Sequence, residues 1–253
     1  MDGHPAMRAT SGGAVSRLPL PGALGFAAGF TRGALTARAL DPDLAARALA
    51  EGLGAPDATV VRLCQVHGAV TLTFEELPRK RRNVLLGDGD AAITCERNVL
   101  LVVASADCVP IVLADPASGW IAAIHAGWRG TAARVLDTAL DALEARGVSP
   151  RNLAASFGPS IARDRYEVGP EVVAALVDAH GAAPERAIVP GPGGKSFLDV
   201  AAFNEAALRR RGLDPVRIRR SRTCNATEGD LPSWRRDGPG AGRILTGIVR
   251  VAS

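Results

Sequence analysis

Two of the four histidines in this 253-residue chain stand where apolar runs stop: His67 in "CQVHG" and His125 in "AIHAG". Cys108 stands at the end of a third such run, "VVASADC". A hydrophobic strand that stops at a polar group leaves that group at a strand terminus, where sheets combined with helices usually keep their chemistry. Each of the three is followed by a turn residue, Gly68, Pro110 or Gly127, so the three termini can converge on one rim of a sheet. Two imidazoles and a thiolate suit Zn²⁺, with bonds of about 2.0–2.1 Å to nitrogen and 2.3 Å to sulfur, and three protein ligands leave a fourth position open. An open position implies chemistry rather than scaffolding. Such an ion lowers the pKa of its water towards ~7 or polarises a bound oxygen, and keeps the cysteine deprotonated. The three residues are distant in sequence and form no short ligand signature, so spacing alone leaves a metal site and buried core side chains equally open.

Charged neighbours extend the candidate site. Asp107 adjoins the thiol and can orient a metal-bound imidazole, act as an acid, or cap a turn. Asp90 opens the strand-like "DAAIT" and is a candidate substrate-binding carboxylate. Arg129 follows His125 by one turn, at the start of a helical stretch, where a guanidinium and free N–H groups can hold a phosphate; a solvated first-turn arginine is the alternative. Without metal, the same residues permit a different chemistry: Cys108 as nucleophile with His125 or His67 as base.

The elements that must position these residues are strand-rich in the first half: "ALGFAAGFTRG", "ATVVRLCQVHG", "AVTLTFEEL", "DAAIT", "NVLLVVASADC", "PIVLADP" and "GWIAAIHAG". The short "PASG" turn predicts a hairpin between the last two. A capped helix is predicted over "DPDLAARALAEGLG", and a long amphipathic one over "WRGTAARVLDTALDALEARG", with Ala133, Leu136, Leu140 and Leu143 on one face. The remainder predicts a strand "NLAASFGPSI", helices "PEVVAALVDAH" and "DVAAFNEAALRRRG", and strands "PVRIRRSRT" and "RILTGIVRVA". Interleaved helices and strands without regular alternation predict an α/β class of α+β type, a layered sandwich of mixed sheet and helices. One domain is expected over 23–253, preceded by a Gly/Pro-rich flexible arm over 1–22 that contains an incidental His4. "GPGGKS" (Gly191 to Ser196) lacks the spacing of a phosphate loop and reads as a surface loop.

Composition narrows the function classes. The chain is 47% hydrophobic and 22% charged, with Lys plus Arg 30 against Asp plus Glu 26. A net charge of +4, scattered along the chain, does not argue for nucleic acid. The basic runs "RKRR" (Arg79 to Arg82) and "RIRRSR" (Arg217 to Arg222) read as a solvated loop or an outward strand face. The absence of an apolar leader-like segment and of paired cysteines is what a cytoplasmic protein with reduced thiols would show, and no apolar run is long enough to span a membrane. Cys64 and Cys95 lie in apolar strands and are assigned to the core.

In order along the chain, "QVHG", "SADCVPIVLADP", "IHAGWRGT", "GPSIARDRYEVGPEV" and "SWRRDGPGAGR" resemble the YfiH-type family, also called multicopper polyphenol oxidase or laccase-domain proteins. The resemblance runs from about Gln65 to the C-terminus. It implies a single α/β domain related to the cytotoxic necrotising factor-type cysteine hydrolase fold, with zinc held by His67, Cys108 and His125. It further implies phosphorolysis of purine nucleosides such as adenosine, inosine and guanosine, with adenosine deamination and methylthioadenosine phosphorolysis as side activities. Partners are then a nucleoside and phosphate, with the chain a monomer or weak homodimer. Under this reading Arg32, Arg129 and Arg236 are candidates for the phosphate and Asp107 for the acid. Other members are linked to editing cell-wall precursors, which keeps open a cysteine-type amidohydrolase, and a zinc-stabilised binding protein is a further class. Copper can occupy a His₂Cys set in vitro, but a multicopper oxidase needs more imidazoles than the remaining internal one, His180, expected at a helix end facing solvent. The chain departs from the family pattern at Ala28, where a histidine is usual, in lacking an "SLN"-type segment between Thr36 and Asp41, and at Leu231–Pro232, where an aromatic pair is usual.

Overall fold

A computed structural model describes residues 14–77 and 82–251. Strand β1 (Val15–Leu18) leads to β2 (Phe26–Thr31), helix α1 (Pro42–Gly52), β3 (Thr59–Cys64), β4 (Thr71–Thr73), β5 (Asn83–Asp88), β6 (Ala91–Thr94), β7 (Val99–Ser105), β8 (Val109–Ala114) and β9 (Ile121–Ala126). Then follow α2 (Trp128–Ala132), α3 (Val135–Glu144), β10 (Ala154–Phe157), β11 (Glu167–Val168), α4 (Pro170–His180), β12 (Ile188–Pro190), β13 (Ser196–Leu198), α5 (Val200–Arg210), β14 (Ile218–Arg220), α6 (Trp234–Asp237) and β15 (Ile244–Arg250).

One six-stranded sheet has the order β1-β2-β15-β7-β3-β5 and a second β14-β10-β8-β9-β6-β4, with a small sheet β11-β13-β12 beside them. Both large sheets are mixed: β3 runs parallel to β5 and β7, whereas β15 runs antiparallel to β2 and β7. The predicted hairpin forms, with β8 and β9 antiparallel and Pro110 opposite His125.

The sheets pack face to face, because strand alternation gives each an apolar face on this layer. Val61, Leu101, Val103 and Ile248 of the first sheet meet Ala92, Val112, Ile121 and Ala123 of the second. The outer face of the first sheet, including Val60, Leu100 and Val249, is covered by Ala46, Leu49 and Leu53 on and just beyond α1. The outer face of the second, including Ile111, Leu113 and Ile124, is covered by Leu136, Leu140 and Leu143 of α3 and by Leu176 and Phe203 of α4 and α5. The result is a helix–sheet–sheet–helix sandwich, the layered α/β arrangement expected.

Asp41 caps α1 by accepting from the Asp43 amide, as the "DPD" start predicts. The single long helix predicted from Trp128 does not form. It breaks at Arg134, whose φ of 64° puts it in the left-handed region, and Ala133 is exposed at the break. Tertiary anchors outweigh the helical pattern here: Thr131 on α2 accepts from Asn204 of α5 and bonds through its carbonyl to His180, while α3 lies flat on the second sheet. β5, α6 and the small sheet are absent from the expectations. The expected N-terminal arm, with His4, lies outside the described residues up to 13; from Val15 the chain is not a loose segment but an edge strand paired with β2. Of the "RKRR" run, 79–81 also lie outside them. Ala28 is buried within β2.

Candidate active site

The three soft ligands meet where the chain leaves one sheet for the other. His67 lies between β3 of the first sheet and β4 of the second, and Cys108 between β7 of the first and β8 of the second. His125 sits on β9, where alternation places it on the same face as Ile121 and Ala123, the face turned towards the first sheet. The ligand atoms of all three lie within 4.8 Å of one another. The two imidazoles stand edge to face with centroids 4.9 Å apart and planes at 84°. His67 at φ 60° and Asp107 at φ 88° both hold left-handed backbone beside this cluster, and strain of this kind costs on the order of 1–3 kcal/mol per residue.

Asp90 is fully buried beneath the cluster, so its sequence reading as a substrate-binding residue is corrected. One carboxylate oxygen accepts from the His67 amide at 3.0 Å and lies 2.9 Å from His125 Nδ1. The other accepts from the Gly68 amide at 2.7 Å and the Val66 amide at 3.3 Å. Burial pushes the Asp90 carboxyl up, but the N–H groups of His125, Gly68 and His67 outweigh it and hold it below the ordinary carboxylate value. With Nδ1 engaged, His125 has Nε2 left for a ligand, the usual carboxylate–histidine arrangement of metal sites.

Cys108 and His125 are tightly coupled. Burial pushes the Cys108 thiol up, yet hydrogen bonds and charge from His125 and His67 bring it down to about 7. Burial pulls His125 down, while Asp90 and Cys108 raise it to about 9. A thiolate and two imidazoles, one oriented by a buried carboxylate, form a donor set whose chemistry fits a metal ion such as zinc. Gly127 makes this approach possible: a Cβ there would lie 2.8 Å from Cys108 Sγ and 3.5 Å from His67 Cδ2. Gly127→Ala is therefore expected to weaken zinc binding about tenfold, or 1.4 kcal/mol, in a competition titration, with the circular dichroism spectrum unchanged.

The cluster opens into a cavity of about 670 Å³, within the range of about 300–1,000 Å³ typical of small-molecule sites. Arg129 lines it, with its guanidinium 4.3 Å from the Trp128 ring and no ion pair among the described residues. Asp107 lines it too, but both carboxylate oxygens are engaged, by Asn225 Nδ2 at 2.8 Å and the Arg235 amide at 2.7 Å.

Arg32 and Arg236 are not brought to the cavity. Arg32 forms a fork to Asp230 at 2.7 and 2.9 Å, beside the bond from the Gly33 amide to the Asp230 carbonyl at 3.0 Å that holds the two segments together. Arg236 donates to the carbonyls of Asn225, Glu228 and Leu231 and ties that loop together. Besides Arg129, the cations that do line the cavity are Arg235 and Arg243. Arg235 lies 5.1 Å from the ring of Tyr166, another lining residue, whose phenol makes no hydrogen bond among the described residues. Burial pushes this phenol up to about 12, and the charge of Cys108 adds to that. Tyr166 and Arg235 both fall inside quoted motifs, but on a short helix adjacent arginines point about 100° apart, and nothing in "SWRRDG" tells which one faces inward.

His180 is half-buried rather than solvated, bonded to the Thr131 carbonyl at 3.0 Å and to Arg210. Cys64 and Cys95 are half-buried rather than fully in the core, and all four cysteines are free. Among the described residues, no helix is long and apolar enough to cross a membrane.

Residues 43–251 match the family described as multi-copper polyphenol oxidoreductase laccase. A Streptomyces coelicolor relative named purine nucleoside phosphorylase SCO2081 is 40% identical over 215 residues, which is 85% of this chain and 82% of that protein. A relative from an unknown prokaryotic organism, named adenosine deaminase RL5, is 36% identical over 178 residues, 70% of this chain and 68% of that protein. The crystal structure of YlmD from Geobacillus stearothermophilus superposes with a TM-score of 0.83 at 28% identity, covering 94% of this chain and 97% of that one.

Proposed function

This chain belongs to the family described as multi-copper polyphenol oxidoreductase laccase, and from that premise we propose that it processes purine nucleosides at the His67–Cys108–His125 site. The reaction is phosphorolysis, with adenosine deamination as a second activity, and the relatives named for these two activities support the reading. The observation that carries it is the gathering of the three ligand atoms within 4.8 Å at the floor of a cavity that Arg129, Arg235 and Arg243 make cationic. The family description does not extend to this chain's donor set. A multicopper cluster needs many imidazoles, and among the described residues only two histidines, His67 and His125, join the site.

A zinc ion bound by His67, Cys108 and His125 would supply a Lewis acid with one position for a substrate oxygen. The residues around it do the rest. Asp90 holds His125 in one tautomer and orientation. Arg129, Arg235 and Arg243 offer guanidinium forks to inorganic phosphate. A phosphate oxygen forms a bond to the anomeric carbon as the glycosidic carbon–nitrogen bond breaks, the electron pair leaves with the purine, and the proton carried in by hydrogen phosphate passes to the purine nitrogen. Tyr166, held protonated by its burial, is placed to donate a hydrogen bond to the departing ring. Asp107 acts through position rather than as a free acid: with Asn225 it fixes the backbone at Arg235. The products are free base and ribose 1-phosphate.

Purified chain loaded with zinc and given inosine and phosphate is expected to release hypoxanthine, and with adenosine to release adenine and ammonia. No base from any purine nucleoside, with one zinc bound per chain, would move the protein to a binding role. The lowered Cys108 thiol favours one further reading, a cysteine nucleophile acting on an amide. Metal separates the two, since zinc supports the first activity and blocks the second.

A further inference from the structure

The basic run Arg217 to Arg222 does more than face solvent. Arg219, Arg220 and Arg222 line a groove of about 630 Å³, joined by Arg163 and by Arg209 of α5. The carboxylates in that lining are Asp199 and Glu205, so five guanidinium groups face two acids. Those acids are already taken. Arg220 Nη2 donates to both carboxylate oxygens of Asp199 at 2.8 Å each, and Arg209 pairs with Glu205. The other three cations keep their charge. Arg163 donates to the carbonyl of Arg186 at 2.7 Å, and Arg219 donates to the carbonyls of Val216 and Ile218 at 2.9 Å each, contacts that orient a guanidinium without neutralising it. Arg222 makes no hydrogen bond or ion pair among the described residues.

Concavity distinguishes this cluster from an ordinary basic surface. Like charges gathered across a groove repel, and low-dielectric walls focus their field on whatever enters. The lining includes β14, which among the described residues pairs only with β10 at the sheet edge, and an edge strand leaves alternate backbone N–H groups without a ladder partner. The hydroxyl-bearing Ser221 and Thr223 lie in the same wall. Oriented guanidinium forks, spare N–H donors and hydroxyls are the groups that recognise phosphate oxygens.

We propose that this groove is a second ligand site, separate from the zinc cavity, that binds a small molecule carrying two or more linked phosphate groups. Each phosphate brings roughly −1.5 to −2 charges, so a pair matches the three unneutralised arginines, whereas a single phosphate leaves at least one unpaired.

The test is isothermal titration of the full chain with tripolyphosphate, pyrophosphate and inorganic phosphate, in the absence of any nucleoside. Saturable 1:1 binding is expected for the first two, at least tenfold tighter than for inorganic phosphate, weakening as salt is raised. The variant Arg219→Ala/Arg222→Ala should lose at least tenfold in tripolyphosphate affinity with its zinc content and base release unchanged, since both side chains are exposed and neither touches the cavity. Three results would overturn the proposal: no saturation at millimolar tripolyphosphate, unchanged affinity in that variant, or loss of binding in Arg129→Ala instead, which would place the ligand in the zinc cavity. An oligonucleotide binding more tightly than tripolyphosphate would also overturn it, in favour of a nucleic-acid surface. Each of the overturning results is a binding measurement and none depends on turnover, so failure here is distinct from failure of the nucleoside reading.

Discussion

Cys108→Ala is expected to yield a folded protein that retains no zinc on dialysis and releases no detectable base from inosine. Removing a hydrogen-bond partner of a ligand already costs about 10–100-fold in metal affinity, and removing the ligand itself must exceed that. Two imidazoles remain, and Asp90 still orients one of them, but the anionic donor that compensates the dication is gone. Because the thiol lies at the cavity rather than in a core layer, the fold should lose no more than about 1 kcal/mol in denaturant unfolding of the metal-free protein. Cys95→Ala serves as the control: Cys95 packs at the edge of the α3-side core and makes no contact with the cluster, so zinc stoichiometry and turnover should persist. Retention of zinc in Cys108→Ala would remove the thiol from the site altogether.

Asp90→Asn carries the second large effect, and it acts on both stability and metal. The carboxylate oxygens face four N–H groups, three from the backbone at Val66, His67 and Gly68 and one from His125. An amide has one acceptor oxygen, and its NH₂ must face N–H donors in a site with no water access at Asp90. At least one buried donor is orphaned, at a cost of about 1–3 kcal/mol. The loop that presents His67 then loses its anchor and His125 its fixed tautomer, so zinc affinity should fall about 10–100-fold. Denaturant unfolding of the apo protein reads the first effect and competition against a chromophoric chelator the second. A variant with native stability and weakened zinc would show that Asp90 orients the imidazole without holding the loop; native values of both would leave it no role.

Much of the site could be read from the chain because its ligands follow a strand logic. Runs that stop at His67 and Cys108 do so at the crossings between sheets, and the alternation in "IAAIHA" puts His125 on the face that meets them. The capped helix α1 and the β8–β9 hairpin were legible for the same reason, as local rules with nothing opposing them. Misreadings came where tertiary contacts prevail. The helical period from Trp128 to Gly147 is strong, yet the anchoring of Thr131 by Asn204 and His180 turns the chain at Arg134. Asp90 reads from sequence as a candidate substrate-binding carboxylate; its burial follows from a β-layer arrangement that spacing does not encode. Arg32 and Arg236 were the natural phosphate candidates among many arginines, but each found a local acceptor, Asp230 or the loop carbonyls, while Arg235 and Arg243 were left to face the cavity. Tyr166 gave no signal of its own.

One ion shared by His67, Cys108 and His125 is the centre of the proposed site. Crystals of the zinc-loaded chain, measured on both sides of the zinc absorption edge, test it most directly. A single anomalous peak is predicted, about 2.0–2.1 Å from one nitrogen of each imidazole and 2.3 Å from the sulfur, with its remaining side open to the cavity lined by Arg129 and Tyr166. An absent peak, or one coordinated by any other set of residues, would contradict it.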